Sequence, residues 1–114
     1  MDKQILIECG IDYEQGLEKF MNNVGLYERL LKNFLTENTF EEAKKAFDSK
    51  DYDGVLRAVH TMKSATGTLS MNSLYQKCCK IVDDIRAEKN ELIENDFADV
   101  YGEYQKVSDG IKRA

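Results

Sequence analysis

The stretch "IENDFADVYGEYQKVSDGI", Ile93 to Ile111, decides the fold. Its apolar residues Ile93, Phe97, Val100, Tyr104, Val107 and Ile111 recur in steps of four, three, four, three and four. A helix with 3.6 residues per turn gathers such positions onto one stripe. A 4-3 rhythm held over the whole stretch belongs to a helix lying nearly along its neighbours in a bundle. A half-buried strand would need alternation of apolar and polar residues, and the chain shows none.

Towards the N-terminus, "EKN" (Glu88–Asn90) separates this helix from one predicted over Asn72 to Ala87, with Leu74, Cys78, Ile81 and Ile85 facing inward. The turn-like "SKDYDG" (Ser49–Gly54) precedes another helix, whose inner side carries Val55, Leu56, Val59, Met62 and Leu69. Further back, Tyr27, Leu30, Leu31, Phe34 and Leu35 form a stripe that resumes at Phe40, Ala43 and Phe47 after the polar "TEN". Thr39 with Glu42 could cap a second helix there, but the favoured reading is one helix from about Val24 to about Ser49. Asp12 followed by Gln15 resembles a capping box that opens a short helix to about Phe20, and "MNNVG" reads as a loop. With no proline, repeat or low-complexity linker, the expectation is one all-α domain over residues 1–114. Its predicted architecture is an antiparallel four-helix bundle with a short leading helix.

Composition narrows the function. Sixteen basic against 21 acidic residues leave a net charge of −5. That balance argues against a general binder of nucleic acid or anionic membrane, which needs clustered positive charge. The opening MDKQILIECG lacks the pattern of a secretory signal, and no segment approaches the ~20 apolar residues of a membrane helix. Cys9, Cys78 and Cys79 are odd in number, two of them adjacent, and make a poor disulfide framework. These features predict a reducing cytoplasm. A chain beginning at methionine and ending soon after its last helix is expected to be free-standing. Cys78 and Cys79 with His60 are too few and too poorly spaced for a structural zinc site, so Cys78 is read as core filler.

The chemistry concentrates in "AVHTMKSATGTLS", Ala58 to Ser70, which holds the only histidine. Val59 and Met62 turn inward, so His60, Lys63, Ser64 and Gly67 share the opposite side at i, i+3, i+4 and i+7. An exposed neutral imidazole is a competent nucleophile, and an ammonium one turn away would stabilise a phosphoryl group placed on it. Ser64, Ala65 and Gly67 leave the surface flat enough for another protein's active site to reach the ring. Glycine inside a helix costs about 1 kcal/mol relative to alanine, so Gly67 needs a reason. Close approach of a partner is one, and close packing against a neighbouring helix is the plainer alternative.

With those residues in view, "HTMKSATGTLS" resembles the signature of the histidine-containing phosphotransfer (HPt) domain: a histidine, a lysine three places on, and small residues beyond. "GIDYEQGLEKF", "LYERLLKNFL" and "DYDGVLRAVHTMKSATGTLS" resemble the family's opening segment, first long helix and phosphorylated helix, while the last two helices match in length and pattern. The resemblance implies that His60 accepts a phosphoryl group from the aspartyl phosphate of a response-regulator receiver and passes it to another receiver. It implies that Lys63 stabilises the phosphoryl group and that Ser64 and Gly67 belong to the docking surface, with Arg57, Thr61 and Thr68 as candidates for its rim. No cofactor is implied for this chain, because the receiver supplies the metal ion. Nor is a kinase site implied, so the chain would be a carrier and not an enzyme, monomeric, with receivers and a hybrid or chemotaxis-type histidine kinase as partners. Ser64 and Ser70 stand where many members have glycine. Gln76 lies on the helix where many members place a glutamine near the imidazole, and its role is open. The rival readings are a helical adaptor that binds receivers or kinases without carrying phosphate, and a substrate of an ATP-binding kinase domain in trans.

Overall fold

Five helix ends in this chain are closed by the same backbone device. In the computed structural model, which describes residues 1–114, the helices are α1 (Lys3–Glu8), α2 (Tyr13–Lys19), α3 (Val24–Phe34), α4 (Thr39–Asp48), α5 (Tyr52–Thr68), α6 (Asn72–Arg86) and α7 (Asn90–Arg113). After α1, α2, α4, α5 and α6 the residue that closes the helix takes a left-handed backbone: Gly10, Met21 (followed by a second such residue, Asn22), Lys50, Ser70 and Glu88. At each, two successive N–H groups turn back onto the last carbonyls of the helix. After α5, for example, Ser70 N–H donates to Gly67 O and Met71 N–H to Thr66 O. This is the Schellman closure, which satisfies carbonyls a helix end would otherwise strand. At the other ends, the carboxylates of Asp2, Asp12 and Asp51 and the amide oxygen of Asn23 accept first-turn N–H groups of α1, α2, α5 and α3.

The single helix expected from Val24 to Ser49 is instead two. α3 stops at Phe34, and α4 starts at Thr39. Leu35 and Thr36 close α3 with short i→i−3 bonds, and the Thr36 hydroxyl donates to Asn33 O at 2.8 Å. No residue there takes a left-handed backbone, so the segment breaks the helix without the Schellman reversal used elsewhere. α1 was also not expected. It is capped by Asp2, buries Leu6 and lies along α7 with Cys9 against Gly110.

The inward positions read from the sequence are those that are buried: Val55, Val59, Met62 and Leu69 on α5 and its cap, Leu74, Cys78, Ile81 and Ile85 on α6, and Ile93, Phe97, Val100, Val107 and Ile111 on α7. Leu56 and Tyr104 are half-buried against them. Aromatic rings join α4 to α7, with Phe47 stacked on Phe97 at 4.3 Å between centroids and Phe40 on Tyr104 at 4.2 Å. Helices α4 and α5, α5 and α6, and α6 and α7 pack successively along their lengths, giving an all-helical bundle without strands. No helix is long and apolar enough to cross a membrane.

Between α6 and α7, Lys80 Nζ donates to Asp84 at 2.7 Å and to Asp96 at 2.8 Å. Burial pushes the Asp96 carboxyl up, while the neighbouring Asp96 carboxyl and the Lys80 ammonium hold Asp84 down.

Candidate functional site

The core face of α5 fixes what its other face presents. With Val55, Val59, Met62 and Thr66 buried, Arg57, His60, Thr61, Ser64 and Thr68 stand exposed, and Lys63 and Gly67 are half-buried at the edge towards α6. The pairing of His60 and Lys63 on one side of the helix is therefore present. The His60 imidazole makes no hydrogen bond within the chain; only its backbone carbonyl does, accepting from Ser64 Oγ at 3.4 Å. No carboxylate lies within ion-pair distance of Lys63. An exposed imidazole with a free ammonium one turn away is open to an incoming anion, and nothing in the chain competes for either group.

The hydroxyls around the ring are already engaged. Thr61 Oγ1 donates to Arg57 O at 3.2 Å, Thr68 Oγ1 to Ser64 O at 3.0 Å, and Ser64 Oγ to the His60 carbonyl. Such back-bonding to the preceding turn hides the donors of serine and threonine on a helix. In this conformation Ser64 presents a small surface more than a phosphate ligand. Two shallow grooves flank the exposed face. One of about 440 Å³ runs between α3 and α5, with Leu30, Asn33 and Glu37 on one side and Thr61, Ser64 and Thr68 on the other. The second, of about 450 Å³, lies between α4 and α5, where Glu42, Lys45 and Asp51 face Arg57 and Thr61. Thr61 stands on the ridge shared by both.

Gly67 has a definite packing role. A β-carbon there would stand 3.1 Å from Cε1 and 3.3 Å from Cδ1 of the Tyr75 ring, on α6. Its carbonyl accepts from Lys19 Nζ at 2.7 Å. Neither Lys19 nor Tyr75 figured in the sequence reading. Lys19 lies 48 residues away, so no local spacing signals it; Tyr75 signals itself only as the aromatic after Leu74 on α6. Gln76 is exposed on α6 and makes no hydrogen bond to His60.

The three cysteines are free thiols. Burial, with the neighbouring Cys79 adding to it, pushes Cys78 up to about 12, and burial raises Cys9 as well. No group of three or more His, Cys, Asp or Glu side chains gathers to hold a metal ion.

A family model, that of the Hpt domain, matches residues 29–110. The match takes in α4, α5 and α6 whole, with most of α3 and α7. No curated protein and no solved structure matches the chain.

Proposed function

We propose that this chain, which belongs to the Hpt domain family, is the phosphocarrier of a His-Asp phosphorelay, with His60 as the phosphorylated residue. Membership in the family implies histidine phosphotransfer; the residues and partners are our reading. The observation that carries it is the exposed, unbonded imidazole of His60 beside a lysine that no carboxylate engages.

In this reading a lone-pair nitrogen of the neutral imidazole attacks the phosphorus of a receiver's aspartyl phosphate. The new N–P bond forms as the acyl O–P bond breaks. The aspartate leaves as carboxylate, and the proton stays on the other ring nitrogen. Transfer to a second receiver runs the same exchange backwards. Phosphoryl transfer of this kind is governed by in-line placement and neutralisation of charge on the equatorial oxygens. Lys63 supplies one positive charge, while Ser64, Gly67, Arg57 and Thr61 form the docking face. The receiver brings the metal ion, and this chain needs no cofactor of its own. It acts as a cytoplasmic monomer that accepts from receivers or from a hybrid or chemotaxis-type kinase.

For the architecture we propose an antiparallel four-helix bundle, with α3 and α4 together in the place of the first long helix. Three pairings support it. Phe40 meets Tyr104 while Phe47 meets Phe97, Gly67 meets Tyr75 across the α5–α6 turn, and Lys80 meets Asp96 across the next turn.

The test is a labelled transfer from phosphorylated receivers and from a histidine kinase with ATP, run beside His60→Gln. Acid-labile, alkali-stable label on the unmodified chain alone is the expected result. Absence of label from every donor would sink the carrier reading and favour the adaptor, while label from kinase and ATP alone would favour the role of kinase substrate.

A further inference from the structure

The surface beside His60 is not made of small residues alone. Gly67, on the line that runs from His60 through Lys63, has its missing side chain replaced by the ring of Tyr75, with Cε1 3.1 Å from where a β-carbon would be. Tyr75 is half-buried, with one edge of its ring against Gly67. Helices α5 and α6 are joined by only Leu69, Ser70 and Met71. Going back from Gly67 to Lys63 on α5 therefore corresponds to going forward from Tyr75 to Cys79 on α6. Lys63 thus stands one turn from Gly67 and the Tyr75 ring laid on it, along the same edge.

We infer that Tyr75 is a specificity-determining residue, whose ring forms the α6 rim of the surface that receives the receiver domain at His60. The inference rests on the phosphocarrier reading above. Three features support a rim role over a packing role alone. The ring is only half-buried, it lies against Gly67 one turn from Lys63, and it is not among the side chains packed on the core. Aromatic side chains at protein interfaces supply large contact area at little entropic cost and shield central polar contacts from water. A rim that shields Lys63 from solvent strengthens its attraction for the phosphoryl oxygens.

The experiment compares two donors on the unmodified chain and on Tyr75→Ala, Tyr75→Glu and Tyr75→Phe, with helical content checked by circular dichroism. One donor is a panel of receiver domains phosphorylated by acetyl phosphate. The other is phosphoramidate, whose P–N bond breaks as the imidazole N–P bond forms, with ammonia leaving. Phosphoramidate reads the reactivity of His60 without any docking surface. Tyr75→Ala is expected to raise the receiver concentration for half-maximal transfer about tenfold more than it slows labelling by phosphoramidate, the size of a lost interface aromatic. Tyr75→Glu, which sets a negative charge against an acidic receiver site, is expected to lose about a further tenfold, and Tyr75→Phe to restore most of the difference. Equal receiver dependence in Tyr75→Ala and the unmodified chain, or equal losses with both donors, would overturn the inference and leave the carrier reading intact. No label on the unmodified chain from either donor, or label from phosphoramidate alone, overturns both.

Discussion

Lys63 and Lys80 stand on adjacent helices of the same bundle and are used in opposite ways. Lys80 reaches between two carboxylates, Asp84 at 2.7 Å and Asp96 at 2.8 Å, and Asp96 is only 4% exposed. That ammonium is spent on holding α6 to α7, since Asp96 without it would be a charge taken out of water with no partner. Lys63 engages no carboxylate and borders an imidazole that makes no hydrogen bond. One lysine has its counter-ion built into the fold, and the other has its counter-ion left to arrive with a partner. In a chain of net charge −5, with 21 acidic residues, a lysine without a carboxylate is the more informative of the two.

Exchanging the losses sharpens the contrast most. Lys63→Ala is expected to slow receiver-dependent labelling about ten- to a hundredfold, the worth of one charge-assisted hydrogen bond, while leaving the melting temperature where it was. Lys80→Ala is expected to do the reverse: a lower melting temperature, with the transfer rate per folded molecule unchanged. Thermal melts beside transfer kinetics decide this, and a slow Lys80 variant with normal melting would collapse the distinction.

The next largest effect concerns the end of α5. Tyr27 is fully buried and its hydroxyl donates to Leu69 O at 2.7 Å. Burial raises its ionisation above the ordinary tyrosine value. Because the folded group holds its proton longer than the unfolded one, its contribution is complete below about pH 10 and is lost as pH rises beyond it. Tyr27→Phe is expected to cost about 1–3 kcal/mol at neutral pH, by stranding the Leu69 carbonyl. It is also expected to flatten the alkaline fall in stability; a denaturant series from pH 8 to 11 measures both.

The smallest effect runs in the stabilising direction. Ser70 holds a left-handed backbone at φ 56° and buries its hydroxyl without a partner. Ser70→Gly removes both penalties and is expected to raise stability by about 1 kcal/mol, read as a higher denaturation midpoint. This places the serine that departs from the family's usual glycine: it sits in the turn that ends the His60 helix, away from the exposed face.

The sequence made the helix faces legible because burial repeats with the helical period. Ile93 to Ile111, Leu74 to Ile85 and Val55 to Met62 face as their spacing predicts. His60 and Lys63 were legible for the same reason, since fixing Val59 and Met62 inward leaves them outward. The breaks were harder to read. Four of the five left-handed closures use Met21, Lys50, Ser70 and Glu88 in place of glycine, so the usual stop signal is missing from the letters. The gap between α3 and α4 was hidden because the apolar stripe continues across it, and because Asn38, at the start of α4, makes no side-chain cap. Asp2 was a cap in plain view, but α1 has six residues and its partner α7 lies at the far end of the chain. Tyr75 on Gly67 is a contact between helices, and one helix's periodicity does not report what a neighbour lays upon it.

Three donors from the leading part of the chain converge on three of the four carbonyls from Gly67 to Ser70, at the end of α5 and its turn. Lys19 Nζ bonds Gly67 O, Tyr27 Oη bonds Leu69 O, and Asp12 N–H bonds Ser70 O at 2.8 Å. All three donors precede residue 29, where the family match begins. Helix ends ordinarily fray on their own, ahead of any larger opening of the molecule. Here the last turn after His60 is tied to a segment 42 and 48 residues earlier at Leu69 and Gly67. The two are therefore expected to open together, with hydrogen exchange at the amides of that turn following release of the leading segment.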